Sequence, residues 1–267
     1  MKQENKAVKS SKMRLFAALF SLMLLISIQL CFTGCANIIF RIPGSEETVT
    51  DAPTANEETS TEKQFWKDAA GYLDYYCEVA LNSEFGDADR KVHKWEEQIQ
   101  FYLFPSEDSE KYETYIKEHI DRLNEVEGFP GIIFAGSQEE AELTLDFITA
   151  EEMKSLTGPG SEEAFGYATI SWYNKDGRIF KGSVYIVREA DSGEEDIKHT
   201  IVEELTQAMG LMNDSDRYPD SIFYQGYSTV HELSEADNIL LKLHYSPYIT
   251  PGMNETQVRE TVSRLAS

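Results

Sequence analysis

The segment Glu203-Glu204-Leu205-Thr206-Gln207-Ala208-Met209-Gly210-Leu211-Met212-Asn213-Asp214 places polar side chains at a spacing that a helix followed by a glycine turn would bring together. Residues four apart share one helix face, so Glu203 and Gln207 project side by side. Gly210 is suited to a left-handed helix stop, with Leu211 as the apolar contact after it, and the returning chain would bring Asn213 toward the same pair. Glu204 points about 100° away around the helix and is the candidate general base if it is buried beside a cleft. The remaining donors are one carboxylate and two neutral amide oxygens. Zinc favours nitrogen and sulfur ligands, and calcium or magnesium usually wants six or more oxygens. A divalent metal held by Glu203, Gln207 and Asn213 would therefore bind weakly. The competing expectation is that no cofactor is present and that the three polar groups bond to each other or to nearby backbone. His199, four residues before Glu203, either makes a shifted metal pair with it or caps the helix start at the surface.

Working outward, the chain alternates between helical and strand periodicity. Phe65, Trp66, Ala69, Leu73, Tyr76 and Ala80 predict an amphipathic helix closed by Gly86. Ile99, Phe101 and Leu103 alternate with polar neighbours, which predicts a strand ended by Pro105. Tyr112, Ile116, Ile120 and Leu123 predict a second helix, stopped by Gly128 and Pro130. Residues 132–134 and 143–148 read as buried strands. Gly166 to Trp172 and Ile179 to Val187 flank Asn174-Lys175-Asp176-Gly177, a strong hairpin signal. A helix from about Glu195 to Met209 carries the opening segment. A long loop then leads to a helix from Glu235 to Tyr245 capped by Ser234, and to a last helix from about Glu255. The fold class is α/β in the α+β sense, with a small mixed sheet, an edge hairpin packed on the helix of interest, and C-terminal helices.

This order resembles the metzincin proteases, in particular their matrixin-like branch, in which an edge hairpin precedes the helix that carries the active site. The family pattern H-E-x-x-H-x-x-G-x-x-H reads here as E-E-x-x-Q-x-x-G-x-x-N. Glu204 and Gly210 occupy family positions, while Glu203, Gln207 and Asn213 stand where the zinc-binding histidines would be. Gly166-Tyr167-Ala168 with Gly177-Arg178-Ile179 is similar to the strand pair flanking the family's substrate cleft. Asp220-Ser221-Ile222-Phe223-Tyr224 resembles the methionine-turn segment with Phe223 in place of the methionine, and Leu233-Ser234-Glu235-Ala236-Asp237 resembles the following helix start. The chain also resembles a bacterial domain family of unknown function with an E-E-x-x-Q-x-x-G-x-x-N-D core, followed by D-S-I-F and by P-G-M, here Pro251-Gly252-Met253. The metzincin resemblance implies a zincin fold stripped of its histidine site, and a cleft beside the edge strand able to take an extended peptide by strand addition.

The N-terminus carries a different signal. Lys2, Lys6, Lys9, Lys12 and Arg14 precede an apolar run from Leu15 to Phe32, then Thr33-Gly34-Cys35. This resembles a bacterial lipoprotein signal, in which Cys35 would become the acylated first residue; the alternative is an uncleaved anchor, since the run just reaches spanning length. Residues 35–61 read as a polar tether and residues 62–267 as a single domain. The formal charge of −23 would become more negative after cleavage, because the leader holds many bases and only Glu4 as an acid. Such a surface repels nucleic acid. With Cys31 in the leader and Cys35 acylated, Cys77 has no disulfide partner. No G-x-S-x-G or glycine-rich phosphate loop occurs. The expectation is a bacterial membrane lipoprotein, lipid-anchored and facing outside the cytoplasm. Its domain would be a non-catalytic pseudoprotease that binds a peptide or cell-envelope protein beside the edge strand. The alternative is an active metal-dependent hydrolase with Glu204 as base.

Overall fold

A computed structural model describes residues 55–83, 89–157, 165–188 and 193–267, with side chains from Ser60 onward. The leader, Cys35 and the Gly86 helix stop lie outside the described residues. In chain order the elements are α1 (Ala55–Gly71), α2 (Leu73–Ala80), β1 (Ile99–Leu103), α3 (Glu107–Asn124), β2 (Ile132–Phe134), a 3₁₀ turn (Gln138–Glu140), β3 (Leu143–Ile148), α4 (Ala150–Thr157), β4 (Gly166–Trp172), β5 (Ile179–Val187), α5 (Glu194–Gln207), α6 (Glu235–Tyr245) and α7 (Glu255–Ala266).

The strands form one five-stranded sheet in the order β2-β1-β3-β5-β4. Strands β2, β1, β3 and β5 are mutually parallel, with Phe101 opposite Leu143 and Leu145 opposite Val184. β4 returns antiparallel on β5 and forms the edge. Each parallel step requires a crossover, and α3 supplies the one after β1. Ile116, Ile120 and Leu123 of α3 and Ile201, Val202 and Leu205 of α5 share one core with Phe101, Leu143 and Val184 of the sheet. On the other face, Met153 of α4 packs with Ile148, Val187, Tyr167 and Tyr185. The domain is thus a mixed α/β fold with its main core between the sheet and α3 and α5.

Several sequence expectations are adjusted. The first predicted helix is two, because Gly71 has low helical propensity and Tyr72 leaves helical geometry at ψ 8°. α1 begins at Ala55, inside the stretch read as tether. α4 was not anticipated, since its only buried residue is Met153 and one apolar position carries no periodicity. β2 is not a buried strand: it lies at the sheet edge with Ile133 and Phe134 exposed. α5 stops at Gln207 rather than Met209.

The end of α5 positions the site. Gly210 has φ of 104°, a conformation that favours glycine. The Gly210 and Leu211 amides both donate to Gln207 O, at 2.8 and 3.1 Å. The Trp95 indole donates to Ala208 O at 3.0 Å, and the Tyr245 hydroxyl to Met209 O at 2.8 Å. His244 Nε2 donates to His93 O at 3.1 Å, which leaves Nδ1 to accept from Tyr76 at 3.0 Å. That tautomer is neutral, and burial lowers the His244 pKa to about 3. A side chain at Gly210 would run into the His93 carbonyl and the His244 ring.

Buried Lys94 donates to the carbonyls of His244, Ser246 and Ile249 at 3.1, 3.3 and 2.5 Å, satisfying the chain beyond α6. Burial lowers its pKa to about 8. Gly210→Ala is expected to cost more than about 3 kcal/mol, because steric overlap and positive φ act together. Urea unfolding followed by circular dichroism measures it; a loss below about 1 kcal/mol would show that the turn relaxes freely.

Candidate functional site beside the edge strand

α5 begins in an acidic first turn, Glu194, Glu195 and Asp196, which suits the positive end of the helix dipole. Asp196 Oδ2 accepts from Gly193 N at 2.8 Å, fixing the start. One turn further on, His199 is buried and is therefore not a surface cap. Its Nδ1 bonds to Val230 O, and its Nε2 lies 3.4 Å from Glu203 Oε2. Burial lowers the His199 pKa, so this contact is an ion pair only at acidic pH. Glu204 is 6 % exposed and packs against Gly166 at the start of β4, where any side chain would overlap Glu204 and Thr200. That close approach is the reason for a glycine there.

Two of the three positions compared with zinc ligands, Gln207 and Asn213, hydrogen-bond to the same residue. Gln207 Nε2 donates to Asp214 Oδ1 at 2.9 Å. Asn213 Nδ2 donates to Asp214 O at 2.5 Å, and Asn213 N donates to Val79 O at 3.1 Å. Both amides are thereby tied to Asp214, a residue given no site role from sequence although it adjoins Asn213. Burial raises the Asp214 pKa to about 6, against the opposing pull of the Gln207 hydrogen bond. Among the described residues, no group of three or more His, Cys, Asp or Glu side chains is placed to hold a metal ion.

Two clefts flank the junction of α5 and β4. The first, of about 400 Å³, is lined by Gly166, Thr200, Glu203, Glu204, Asp214 and Tyr224 among others. The second, of about 250 Å³, lies further along β4 and includes Ala168, Ile170, Trp172, Gln207, Gly210 and Met212. Val187 N donates to Phe165 O at 2.8 Å. By the alternation of antiparallel pairing, Gly166, Ala168 and Ile170 then direct their backbone N–H and C=O groups away from β5. That outward row borders both clefts.

The opposite wall hangs on a buried network that sequence reasoning passed over. Ser221 Oγ donates to Asp237 Oδ1 at 2.6 Å and accepts from Phe223 N at 3.0 Å. The Tyr75 hydroxyl lies 2.5 Å from the same oxygen. Asp237 also accepts from Ile222 N at 3.2 Å and Ser234 N at 2.8 Å. The L-S-x-x-D and D-S-I-F segments, 16 residues apart at Ser221 and Asp237, are two halves of this cluster.

With that geometry in place, the match to known families is informative. Residues 69–264, from late α1 through α7, match the model for the family described as protein of unknown function, DUF2927. The chain belongs to this family. The match spans the sheet, both clefts and the Ser221–Asp237 network, so the family's unit is the whole folded domain rather than the segment after Glu203. A comparison with characterised proteins finds no match.

Asp214 provides a pH test of the site. Its folded pKa of about 6 lies above the ordinary 3.8, so the folded state binds more protons than the unfolded state between these values. Stability contributed by Asp214 is therefore present at the acidic end and lost as pH rises through about 6. Asp214→Asn removes this titration. The stability difference between wild type and variant is expected to shift by on the order of 2 kcal/mol, against wild type, between pH 4 and pH 6.5. Denaturant unfolding at both pH values measures it, and a pH-independent difference would contradict the burial of this carboxyl.

Proposed function

We propose that the domain is a non-catalytic, metzincin-like module that binds an extended peptide or a segment of a cell-envelope protein along β4, presented outside the cytoplasm by a lipid on Cys35. The observation that carries this reading is the commitment of the Gln207 and Asn213 amides to Asp214, beside an edge strand whose Gly166, Ala168 and Ile170 backbone groups face away from their only partner strand. A hydrogen-bonded staple does the structural work that a metal would do in a protease of this shape. The edge hairpin before α5, the glycine turn and the Phe223 core position agree with that resemblance. Strand addition supplies main-chain hydrogen bonds, and pockets for alternate side chains supply selectivity.

Active metal-dependent hydrolysis with Glu204 as base is the competing function, supported by the burial of Glu204 at the cleft wall. Elemental analysis of the domain beginning at residue 36, alongside digestion of a mixed peptide library, decides between them. The expected result is substoichiometric metal and no cleavage. Stoichiometric metal, together with a cleavage activity that Glu204→Gln abolishes, would overturn the binding-module reading.

Strand addition has its own test. Ala168→Pro removes one outward N–H while leaving the β5 pairing intact, a position at which edge strands tolerate proline. Peptide affinity is expected to fall at least about tenfold with a change in stability near 1 kcal/mol. An N-methylated peptide backbone should lose affinity for the unaltered protein in the same way. For the anchor, Cys35→Ala is expected to abolish incorporation of labelled palmitate by bacterial cells; full labelling of the variant would exclude that attachment site.

A further inference from the structure

The cleft at the start of β4 has a charge that the peptide-binding reading does not by itself explain. Asp196, Glu203, Glu204 and Asp214 line it, from the first turn of α5, from its last turns and from the following loop, and among the described residues no lysine or arginine does. Lys198, the one lysine of α5, pairs with Glu194 and Glu195 at 3.0 Å each and does not line the cleft. His199, the remaining basic group of the lining, is held toward its neutral form by burial. Burial in this cleft raises the pKa of Asp214.

The shape of this charge matters as much as its sign. Among the described residues, no three His, Cys, Asp or Glu side chains are placed to hold a metal ion, and the four carboxylates come from separate turns of α5 and the loop after it. A bare divalent cation wants oxygens converging on a single centre. An ammonium or guanidinium group on a long side chain is instead suited by acceptors spread around a wall. Exposed Phe165 and Tyr227 border the same cleft and offer ring faces of the kind that attract organic cations. Further along β4 the sign changes: the second cleft is lined by Arg90, Lys91 and His93, with Asp89 as its acid. A peptide lying on β4 would therefore meet an acidic pocket beside Gly166 and a more basic one toward Trp172.

We propose that the cleft lined by Asp196, Glu203, Glu204 and Asp214 receives the cationic side chain of a lysine- or arginine-type residue in an extended peptide paired on β4. The inference rests on the strand-pairing reading above and adds the chemical class of the partner. The outward amides of β4 would hold the peptide backbone, and the cleft would select one side chain by charge. Electrostatic selection of this kind acts more on specificity than on total affinity.

The test uses acetylated, amidated peptides of alternating threonine and valine carrying lysine, norleucine or glutamate at one central position. Their binding to the domain beginning at residue 36 is read by fluorescence anisotropy at low salt. The expected order is lysine about tenfold tighter than norleucine, with glutamate weakest. Glu203→Gln and Asp214→Asn should each move the lysine-to-norleucine ratio toward one. Thermal melts check that both variants fold.

Equal affinity for lysine and norleucine, with both lost in Ala168→Pro, would overturn the cation pocket and leave strand pairing standing. A lysine preference that survives Ala168→Pro would overturn strand pairing and confine the inference to the cleft. Absence of binding by every peptide would overturn both.

Discussion

The end of α5 is held by donors from distant segments: Trp95 before β1, Tyr245 at the end of α6, and the amides of the Gly210 turn itself. A helix that must stop and reverse inside a core leaves carbonyls that water cannot reach. Here Gln207, Ala208 and Met209 each find a protein donor within four residues of the stop or across the core. The turn is packed so closely against the His93 carbonyl and His244 that position 210 has no room for a side chain. Buried His244 bridges two chain segments through one neutral tautomer, accepting from Tyr76 and donating to His93. The direction in which residues 211–214 leave the helix is fixed by these contacts.

From that fixed exit a closed ring of contacts frames the cleft. The loop after Asp214 is tied to residues 223–225, because Ser215 N donates to Phe223 O at 2.8 Å and Gln225 N to Ser215 O at 3.1 Å. Ser221 ties the same strip to Asp237 at the start of α6, and Tyr245 at the other end of α6 returns to Met209. Asp237 is fully buried with a raised pKa, and burial is the dominant cause. It remains compatible with the core because its two oxygens accept from a hydroxyl and backbone amides. A metal bound at Glu203, Gln207 and Asn213 would duplicate a constraint that the ring already imposes. Side chains other than histidine at those positions are thus compatible with the fold.

Much of this was legible in the sequence where one local rule dominates. Gly210 announced a left-handed stop, Ser234 a helix cap, and the Asp176-Gly177 hairpin an edge pair, because glycine freedom, capping and turn chemistry act over a few residues. The periodicity of α3 was equally direct. What was hidden depends on partners far away in the chain. Lys94 reads as an ordinary surface cation until the carbonyls of His244, Ser246 and Ile249 are brought to it. Ser221 lacked any hydrolase motif and was set aside, yet it joins Tyr75 to Asp237. Asp214 closes the opening segment and proved to be the acceptor that organises Gln207 and Asn213. His199 was read as either half of a shifted metal pair or a surface cap, because nothing local showed that Val230 would cover it. β2 was read as buried because three apolar residues do not reveal which strand lies at an edge.

The two edges of the sheet are protected differently, and the contrast bears on what β4 is for. An open strand edge invites pairing with other chains, and folded proteins usually shorten, cover or charge it. β2 spans only Ile132–Phe134, with Lys117 lying over the Phe134 ring, so it offers little to pair with. β4 runs from Gly166 to Trp172 and keeps its outward row of amides and carbonyls. What lies along it is charge: a carboxylate-lined cleft beside Gly166 and a more basic one toward Trp172. An edge that keeps its backbone groups available beside charges of opposite sign at its two ends is what the strand pairing proposed above would need to select one partner and one direction. That pattern follows from where α5 and the segment before β1 place their charged residues relative to β4.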